Sequence, residues 1–130
     1  MPDDLLLDTH ALIWWVEDSP RLSLLAVEAI ENAEGRVAFS AASIWEIATK
    51  LRIGKLRMRR GLGDAVSDLT RRARLEPLAI SVEHGRLAGE LEGPHKDPFD
   101  RMLIAQAQLE GFAVVTSDPI FQHYRVPVVW

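Results

Sequence analysis

Short runs of apolar residues alternate along the chain with longer stretches in which apolar residues recur at helical spacing. The first run, Leu5–Leu7, is apolar at every position, which is typical of a strand buried on both faces of a sheet. By contrast, Ile44, Ile47 and Leu51 share one face of a helix. The pattern predicts strands at 5–7, 37–39, 78–80, 113–116 and 126–130, and helices at 9–16, 23–33, 42–53, 61–74, 82–91 and 98–110.

Capping and turn residues support these helix boundaries. Ser40 and Asp97 lie where N-caps belong, and Gly54 and Gly111 follow the last periodic residues of their helices. Strands that alternate with helices form parallel βαβ units. The sequence therefore predicts an α/β fold, a three-layer α/β/α sandwich with a central, mostly parallel sheet, in a single domain spanning residues 1–130.

The composition is that of a folded protein. The chain has 130 residues, near the commonest domain size, and 48% of them are hydrophobic, which excludes intrinsic disorder. It contains no cysteine, which excludes a disulfide scaffold, a thiolate metal site and a cysteine nucleophile. No signal-peptide pattern is present, and no apolar run reaches the ~20 residues that a membrane span requires. We therefore expect a cytoplasmic protein with no membrane partner.

Charge is unevenly distributed along the chain. The net charge is −4, yet nine basic and only two acidic residues lie between Lys50 and Arg74, which leaves a local charge of +7. Such a segment can bind phosphate groups even on an acidic protein. It can equally be a solvated helical surface, and the charge pattern alone leaves both interpretations open.

Four carboxylates occur where this fold gathers the ends of strands and the faces of helices. Asp8 and Asp118 follow predicted strands, whereas Glu46 and Asp100 lie in predicted helices. Ligand sites in parallel sheets lie beyond the carboxyl ends of the strands. Carboxylates held close together raise each other's pKa or repel, a cost that a hard divalent cation removes. Oxygen ligands suit Mg²⁺ or Mn²⁺, so the quartet predicts a site for such an ion.

Each acid also has an ordinary structural explanation. Asp8 can cap the helix that follows it, and Asp118 can form a turn before a proline. Glu46 can pair with Lys50 at i+4 on a helix surface, and the sequence does not choose between this and a functional role. Asp100 lies on the apolar stripe of its helix, where an unpaired charge is costly, although a first-turn acid also interacts favourably with the helix dipole.

Four segments in order carry a resemblance to one family. They are Leu6–Trp14, Ser40–Ile47, His95–Ala107 and Val115–Asp118, and together they run from one end of the chain to the other. On these segments the chain resembles PIN-domain ribonucleases, and in particular the VapC-type toxins of bacterial toxin–antitoxin pairs. One such segment would be weak support, whereas four in the same order are specific.

The resemblance implies an endoribonuclease that cleaves RNA with Mg²⁺ or Mn²⁺. The metal ligands of the family correspond to Asp8, Glu46, Asp100 and Asp118 in this chain. Asp118 is the least certain of the four, because the family often has asparagine or another polar residue near that position. The number of ions, one or two, and the class of RNA are left open.

Three polar residues are predicted to support the acids. Ser43 could reach a metal-bound water, and Thr116 could orient a carboxylate or a water. Asp97 is expected to be a helix cap or a residue behind the metal ligands, with direct contact to the metal as the lesser alternative. The basic segment would then follow the RNA backbone, although an antitoxin could equally cover this surface. The residues assigned to RNA binding are Lys50, Arg52 and Lys55.

The resemblance also implies two protein partners, a small cognate antitoxin and a second copy of the chain in a homodimer. A different class of function is a catalytically silent PIN-like module that assembles with a protein partner. A receiver-type signalling domain is a weaker alternative, because such a domain needs adjacent acids after the first strand, whereas Asp8 is followed by Thr9 and His10.

Overall fold

The structure, a computed structural model, describes residues 4–130, and the first three residues of the predicted domain lie outside the described part. Its strands are β1 (Leu5–Leu7), β2 (Val37–Ser40), β3 (Glu76–Leu78), β4 (Ala113–Val115) and β5 (Val128–Val129). They form one sheet in the order β3-β2-β1-β4-β5, in which every neighbouring pair is parallel. The predicted parallel sheet is confirmed.

Helices connect the strands and cover both faces of the sheet. Among the described residues they are α1 (Thr9–Val16), α2 (Leu24–Glu31), α3 (Ala41–Arg52), α4 (Leu62–Arg71), α5 (Val82–Glu90), α6 (Pro98–Glu110) and α7 (Ile120–His123).

Two hydrophobic clusters hold the layers together, one on each face of the sheet. Leu5 and Leu7 of β1 pack in a cluster with Ile47 of α3 and with apolar residues of α1, α2 and α4. Leu6 points to the opposite face, where it packs with Leu103 of α6. Full burial of one such side chain contributes about 1.5–3 kcal/mol, so both faces need a helical cover. The predicted three-layer sandwich is confirmed.

The third strand lies two residues earlier than predicted. Residues 78–80 are apolar, but β3 is Glu76–Leu78, because Glu76 and Leu78 are in register with Ala38 and Ser40 of β2. Ile80 has left the sheet and is 39% exposed. β3 is an edge strand, which tolerates the proline at its centre. The pairing with β2, rather than local hydrophobicity, therefore decides where this strand lies.

Two further elements are clearly shorter than predicted, and one short helix was not predicted. The helix predicted at 61–74 ends at Arg71, and Arg74 has a φ of +57°, which is incompatible with a continuing helix. The strand predicted at 126–130 is reduced to Val128–Val129, the residues that pair with β4. The short helix α7 was not predicted, because four residues are too few to show a helical period.

The carboxyl ends of β1, β2 and β4 lie side by side, and we call this end of the sheet its carboxyl edge. Leu7, the last residue of β1, is in register with Phe39 of β2 and Val115 of β4. The helices α1 and α3 begin almost directly after β1 and β2, so their first turns start at this edge. Within residues 4–130, no helix is both long enough and apolar enough to cross a membrane.

Candidate active site

Asp8 lies between β1 and α1 and is only 7% exposed. One carboxylate oxygen, Oδ1, accepts a hydrogen bond of 2.7 Å from the Ala11 amide, so Asp8 is the N-cap of α1. The other oxygen, Oδ2, accepts a hydrogen bond of 2.6 Å from the Thr116 hydroxyl, which follows β4. The predicted cap and the predicted orienting role of Thr116 thus occur together, and they fix this carboxylate at the sheet edge.

Glu46 is buried in α3, with 5% exposure, and its Oε2 accepts a hydrogen bond of 2.5 Å from the Lys50 ammonium. The pair predicted from sequence therefore exists, but its acidic member is not on the surface. Ser43, one turn earlier and fully buried, accepts a hydrogen bond of 2.9 Å from the Thr9 hydroxyl. This bond ties α3 to α1, whereas the sequence suggested that Ser43 would reach a metal-bound water.

Asp100 lies in the first turn of α6, and its Oδ2 is 2.8 Å from Nε2 of His95. The four histidines of the chain lack metal-ligand spacing, so the sequence alone assigns His95 no role at the site. The only signal was its position five residues before Asp100, in a Gly-Pro loop that turns back over the helix start. Whether such a loop folds back depends on the tertiary contacts of its backbone, which no local pattern reports.

The loop before α6 is held by two further residues. Asp97 caps the helix, because its Oδ1 accepts hydrogen bonds from the amides of Phe99 (2.9 Å) and Asp100 (3.2 Å). The Arg101 guanidinium donates to the carbonyl oxygens of Ala88 at 2.9 Å and His95 at 3.0 Å. Asp97 thus has the predicted capping role, and Arg101 fastens the loop without contacting the acids of the site.

Asp100 interacts electrostatically with both Asp8 and Glu46, and we call these three carboxylates the acidic cluster. Burial raises the pKa of Asp8; hydrogen bonds from Thr116 and the Ala11 amide oppose this rise, and the charge of Asp100 adds to it. Burial also raises the pKa of Asp100; the hydrogen bond with His95 opposes the rise, and the nearby charges of Asp97 and Glu46 add to it. A cation placed among these groups would stabilise their charged forms.

Asp118 lies at the same edge but outside this cluster. Its side chain is exposed, and its Oδ1 accepts a hydrogen bond of 3.0 Å from the Ile120 amide. Its own amide donates to the Thr116 hydroxyl at 3.0 Å, so Thr116 links Asp118 to Asp8 through the backbone. The carboxylate itself has the turn-forming role that the sequence offered as an ordinary explanation.

The donor set suits a hard divalent cation, although the acids are not arranged as a finished metal cage. Within residues 4–130, no three Asp, Glu or His side chains are grouped closely enough to hold a metal ion as they stand. Glu46 is engaged by Lys50 and Asp100 by His95. The donors are oxygens only, which fits Mg²⁺ or Mn²⁺, and a bound ion would lower the raised pKa of Asp8 and Asp100.

The basic segment is divided between paired and free side chains. Arg59 pairs with Glu17 at 3.1 Å, and Arg60 pairs with Asp68. Arg52 and Lys55, two of the three residues predicted to bind RNA, are exposed and make no ion pair within residues 4–130. The third, Lys50, faces the acidic cluster.

Comparison with known proteins assigns the chain to a family. The family model for the PIN domain matches residues 5–127. A protein named Ribonuclease VapC22 from Mycobacterium tuberculosis is 30% identical over 128 residues, which cover 96% of this chain and 97% of that protein.

Solved structures have the same fold. The chain aligns with VapBC2 from Rickettsia felis, crystallised with a DNA fragment of its promoter, with a TM-score of 0.72, 16% identity and 96% coverage of both chains. It aligns with DNA-bound VapBC from Salmonella typhimurium with a TM-score of 0.68, 17% identity and 96% coverage of both chains. With its sheet order, its acidic edge and a family match over nearly its whole length, this chain belongs to the PIN-domain family.

Proposed function

We propose that this chain is a metal-dependent endoribonuclease and the toxin of a toxin–antitoxin pair. The observation that carries the proposal is the acidic cluster, three partly or fully buried carboxylates at the carboxyl edge of a parallel sheet. Buried carboxylates with raised pKa are costly to keep for stability alone, and they concentrate at functional sites. The identity to a protein named as a ribonuclease supports the same reaction.

The proposed ligands of Mg²⁺ or Mn²⁺ are Asp8, Glu46 and Asp100, joined by Asp118. A bound divalent ion polarises the scissile phosphate and lowers the pKa of the attacking water. Asp118 has the weakest support, because its carboxylate is exposed and bonded to the backbone of its own turn.

The other residues of the site act by holding these oxygens in place. Thr116 and the first turn of α1 fix both oxygens of Asp8. Asp97 fixes the start of α6, and therefore the direction in which Asp100 leaves the helix. The bond between Thr9 and Ser43 keeps α1 and α3 together, and with them Asp8 and Glu46. Rigid support of this kind is what positioned catalysis requires.

RNA would approach along the basic side of α3. Arg52 and Lys55 are exposed and unpaired within residues 4–130, so they are free to contact backbone phosphates, and Lys50 contacts Glu46. Sequence-independent contacts of this kind hold the strand, and they leave the choice of cleavage site to other contacts.

We also propose that the chain binds a cognate antitoxin and a second copy of itself, and that it does so in the cytoplasm. Two of the solved structures with the same fold are VapBC2 and VapBC. Large apolar side chains of this chain are exposed, including Leu24 (74%), Trp45 (63%) and Val82 (86%). Apolar surface of this kind, when contiguous, is typical of interfaces between proteins.

The test is cleavage of RNA by the purified chain and in cells. We expect new RNA 5′ ends after expression, cleavage in vitro with Mg²⁺ or Mn²⁺, and inhibition by EDTA. Asp8→Asn should abolish cleavage, whereas Asp64→Asn, the same change at an exposed position of α4, should not. If Asp8→Asn cleaves normally, the site is wrongly assigned. If the wild type produces no new ends in cells, the non-catalytic binding module replaces this proposal.

A further inference from the structure

A lysine side chain already neutralises one acid of the site. The Lys50 ammonium lies 2.5 Å from Oε2 of Glu46, one helical turn away in α3. The Glu46 side chain is 6% exposed, whereas that of Lys50 is 40% exposed. The carboxylate is therefore confined, while the ammonium reaches it from the solvent side on a flexible four-carbon chain.

The same ammonium also interacts with the wider site. Its pKa is raised by the hydrogen bond with Glu46, and the charges of Glu46, Asp97 and Asp100 contribute to the rise, with burial opposing it. Asp8 and Asp100 are not joined to any lysine or arginine by an ion pair among the described residues. Among the lysines and arginines of residues 4–130, Lys50 is thus the one that forms an ion pair with the cluster.

We propose that Lys50 is a built-in counter-ion of the acidic cluster, which a divalent cation must displace from Glu46 in order to bind. The inference rests on the proposed function in one respect, that Glu46 is a metal ligand. The contact places the Lys50 ammonium on Glu46 Oε2, so a divalent cation bound by the same carboxylate would lie within a few ångströms of a like charge and be repelled by it.

Displacement is feasible because of the difference in exposure. Rotation of the Lys50 side chain moves its ammonium into water without disturbing the buried Glu46. The chain thus keeps a confined carboxylate neutralised without metal, and it accepts weaker metal binding as the consequence.

The first test is Mn²⁺ binding to the full chain, measured by calorimetry without RNA. We expect Lys50→Gln to bind Mn²⁺ about five- to tenfold more tightly than the wild type, since a competing charge is removed. Lys50→Arg keeps the charge and should bind within about twofold of the wild type. The matched control is Lys96→Gln, at an exposed lysine that makes no ion pair among residues 4–130.

The second test is the melting temperature in EDTA. Glutamine is a good helix former, so Lys50→Gln should fold, but it should melt earlier because Glu46 is left buried without a counter-ion. The double variant with Glu46→Gln should recover the melting temperature. If Lys50→Gln melts as the wild type does, Lys50 does not neutralise Glu46 and the inference is overturned.

Failure of this inference and failure of the proposed function give different results. Equal Mn²⁺ affinity in wild type, Lys50→Gln and Lys96→Gln would overturn the counter-ion role and leave the metal site intact. Absence of Mn²⁺ binding in all three would contradict the proposed function, and this inference with it. Tighter binding in Lys50→Gln alone would support both.

Discussion

Two histidine–carboxylate pairs lie at opposite ends of α6. At its start, His95 Nε2 is 2.8 Å from Asp100, and at its end, His84 Nε2 is 3.0 Å from Glu110. The chemistry of the two pairs is the same, but their surroundings differ. Asp100 belongs to the acidic cluster and has a raised pKa, whereas Glu110 is on the exposed end of the helix.

The histidines differ in how many of their ring nitrogens are used. His84 is 3% exposed, and its Nδ1 accepts a hydrogen bond of 3.0 Å from the Ser81 amide. Ser81 and His84 together form the capping box of α5. Nδ1 therefore carries no proton, and Nε2 donates to Glu110. The His95 ring is bonded through Nε2 only among the described contacts, and its side chain is 23% exposed. The His84–Glu110 pair therefore stabilises the fold, whereas the His95–Asp100 pair leaves its carboxylate able to change partners.

The largest expected effect separates the two carboxylates of α6. Asp100→Asn should reduce RNA cleavage by at least about 100-fold, since loss even of residues behind a metal ligand commonly costs 10–100-fold. Glu110→Gln, at the far end of the same helix, should retain cleavage within about twofold, because it lies outside the acidic cluster. Initial rates at saturating Mg²⁺ measure both. An equal loss of cleavage in both variants would show that the carboxylates act by stabilising α6, and that Asp100 has no separate role in the reaction.

The second prediction compares the two histidines, one by its effect on stability and the other by its effect on cleavage. His84→Ala should lower the free energy of unfolding by about 2–3 kcal/mol, because it removes a buried ring, half of a capping box and the partner of Glu110. Cleavage per folded molecule should not change. His95→Ala should cost under about 1 kcal/mol of stability and reduce cleavage about tenfold. The backbone of His95, which binds Arg101 and the Tyr124 hydroxyl, is retained in that variant.

Denaturant unfolding and cleavage assays on the same preparations decide between these outcomes. If His95→Ala is the less stable variant and cleaves normally, the roles of the two histidines are reversed.

A feature of the fold could be predicted from the sequence when it depends on neighbouring residues, and not when it depends on residues distant in the chain. Leu5–Leu7 and the caps Asp8, Ser40 and Asp97 are local features, in which neighbouring residues decide the conformation. They were predicted correctly. The register of Glu76 opposite Ala38 depends on a strand distant in sequence, and the third strand was accordingly misplaced.

The site divides in the same way. The residue types and the order of the acids indicated a divalent-cation site, since those features are present in the sequence. The burial of Glu46 depends on how α3 packs against α1 and α6, and its position on a helix surface gave no sign of it. The contact of His95 with Asp100 depends on a loop that Arg101 holds through backbone carbonyls. Sequence patterns do not report contacts of this kind.

A pH series in EDTA tests the Asp100 side of the comparison without RNA. When folding raises the pKa of a carboxyl group, the charged group lowers the free energy of unfolding at any pH above the raised pKa. This destabilisation disappears as the pH falls, because the folded state then takes up a proton. Asp100→Asn does not titrate, so it should be more stable than the wild type at neutral pH. The difference in free energy of unfolding should shrink as the pH falls through the raised pKa of Asp100.

Asp68 provides the control with the opposite sign. The hydrogen bond from Arg60 lowers the pKa of Asp68, so its stabilising contribution is present above the ordinary pKa of aspartate and is lost as the pH falls. Asp68→Asn should therefore be slightly less stable than the wild type at neutral pH and equal to it in acid. A difference of the same sign for both variants would contradict the assignment of Asp100 as a carboxylate that folding destabilises.

The smallest expected effect concerns Gln106, which is fully buried beside His84. Its amide nitrogen is 3.3 Å from the Ala79 carbonyl and 3.4 Å from His84 Nδ1, both long contacts, and its Oε1 has no partner among the described residues. Gln106→Leu removes an unsatisfied oxygen together with two weak hydrogen bonds, so the gain and the loss should offset each other to within about 1 kcal/mol. Denaturant unfolding measures the change. A loss as large as that of His84→Ala would mean that Gln106 holds the His84 ring in place, and the fastening at this end of α6 would then be a network of three side chains and not a pair.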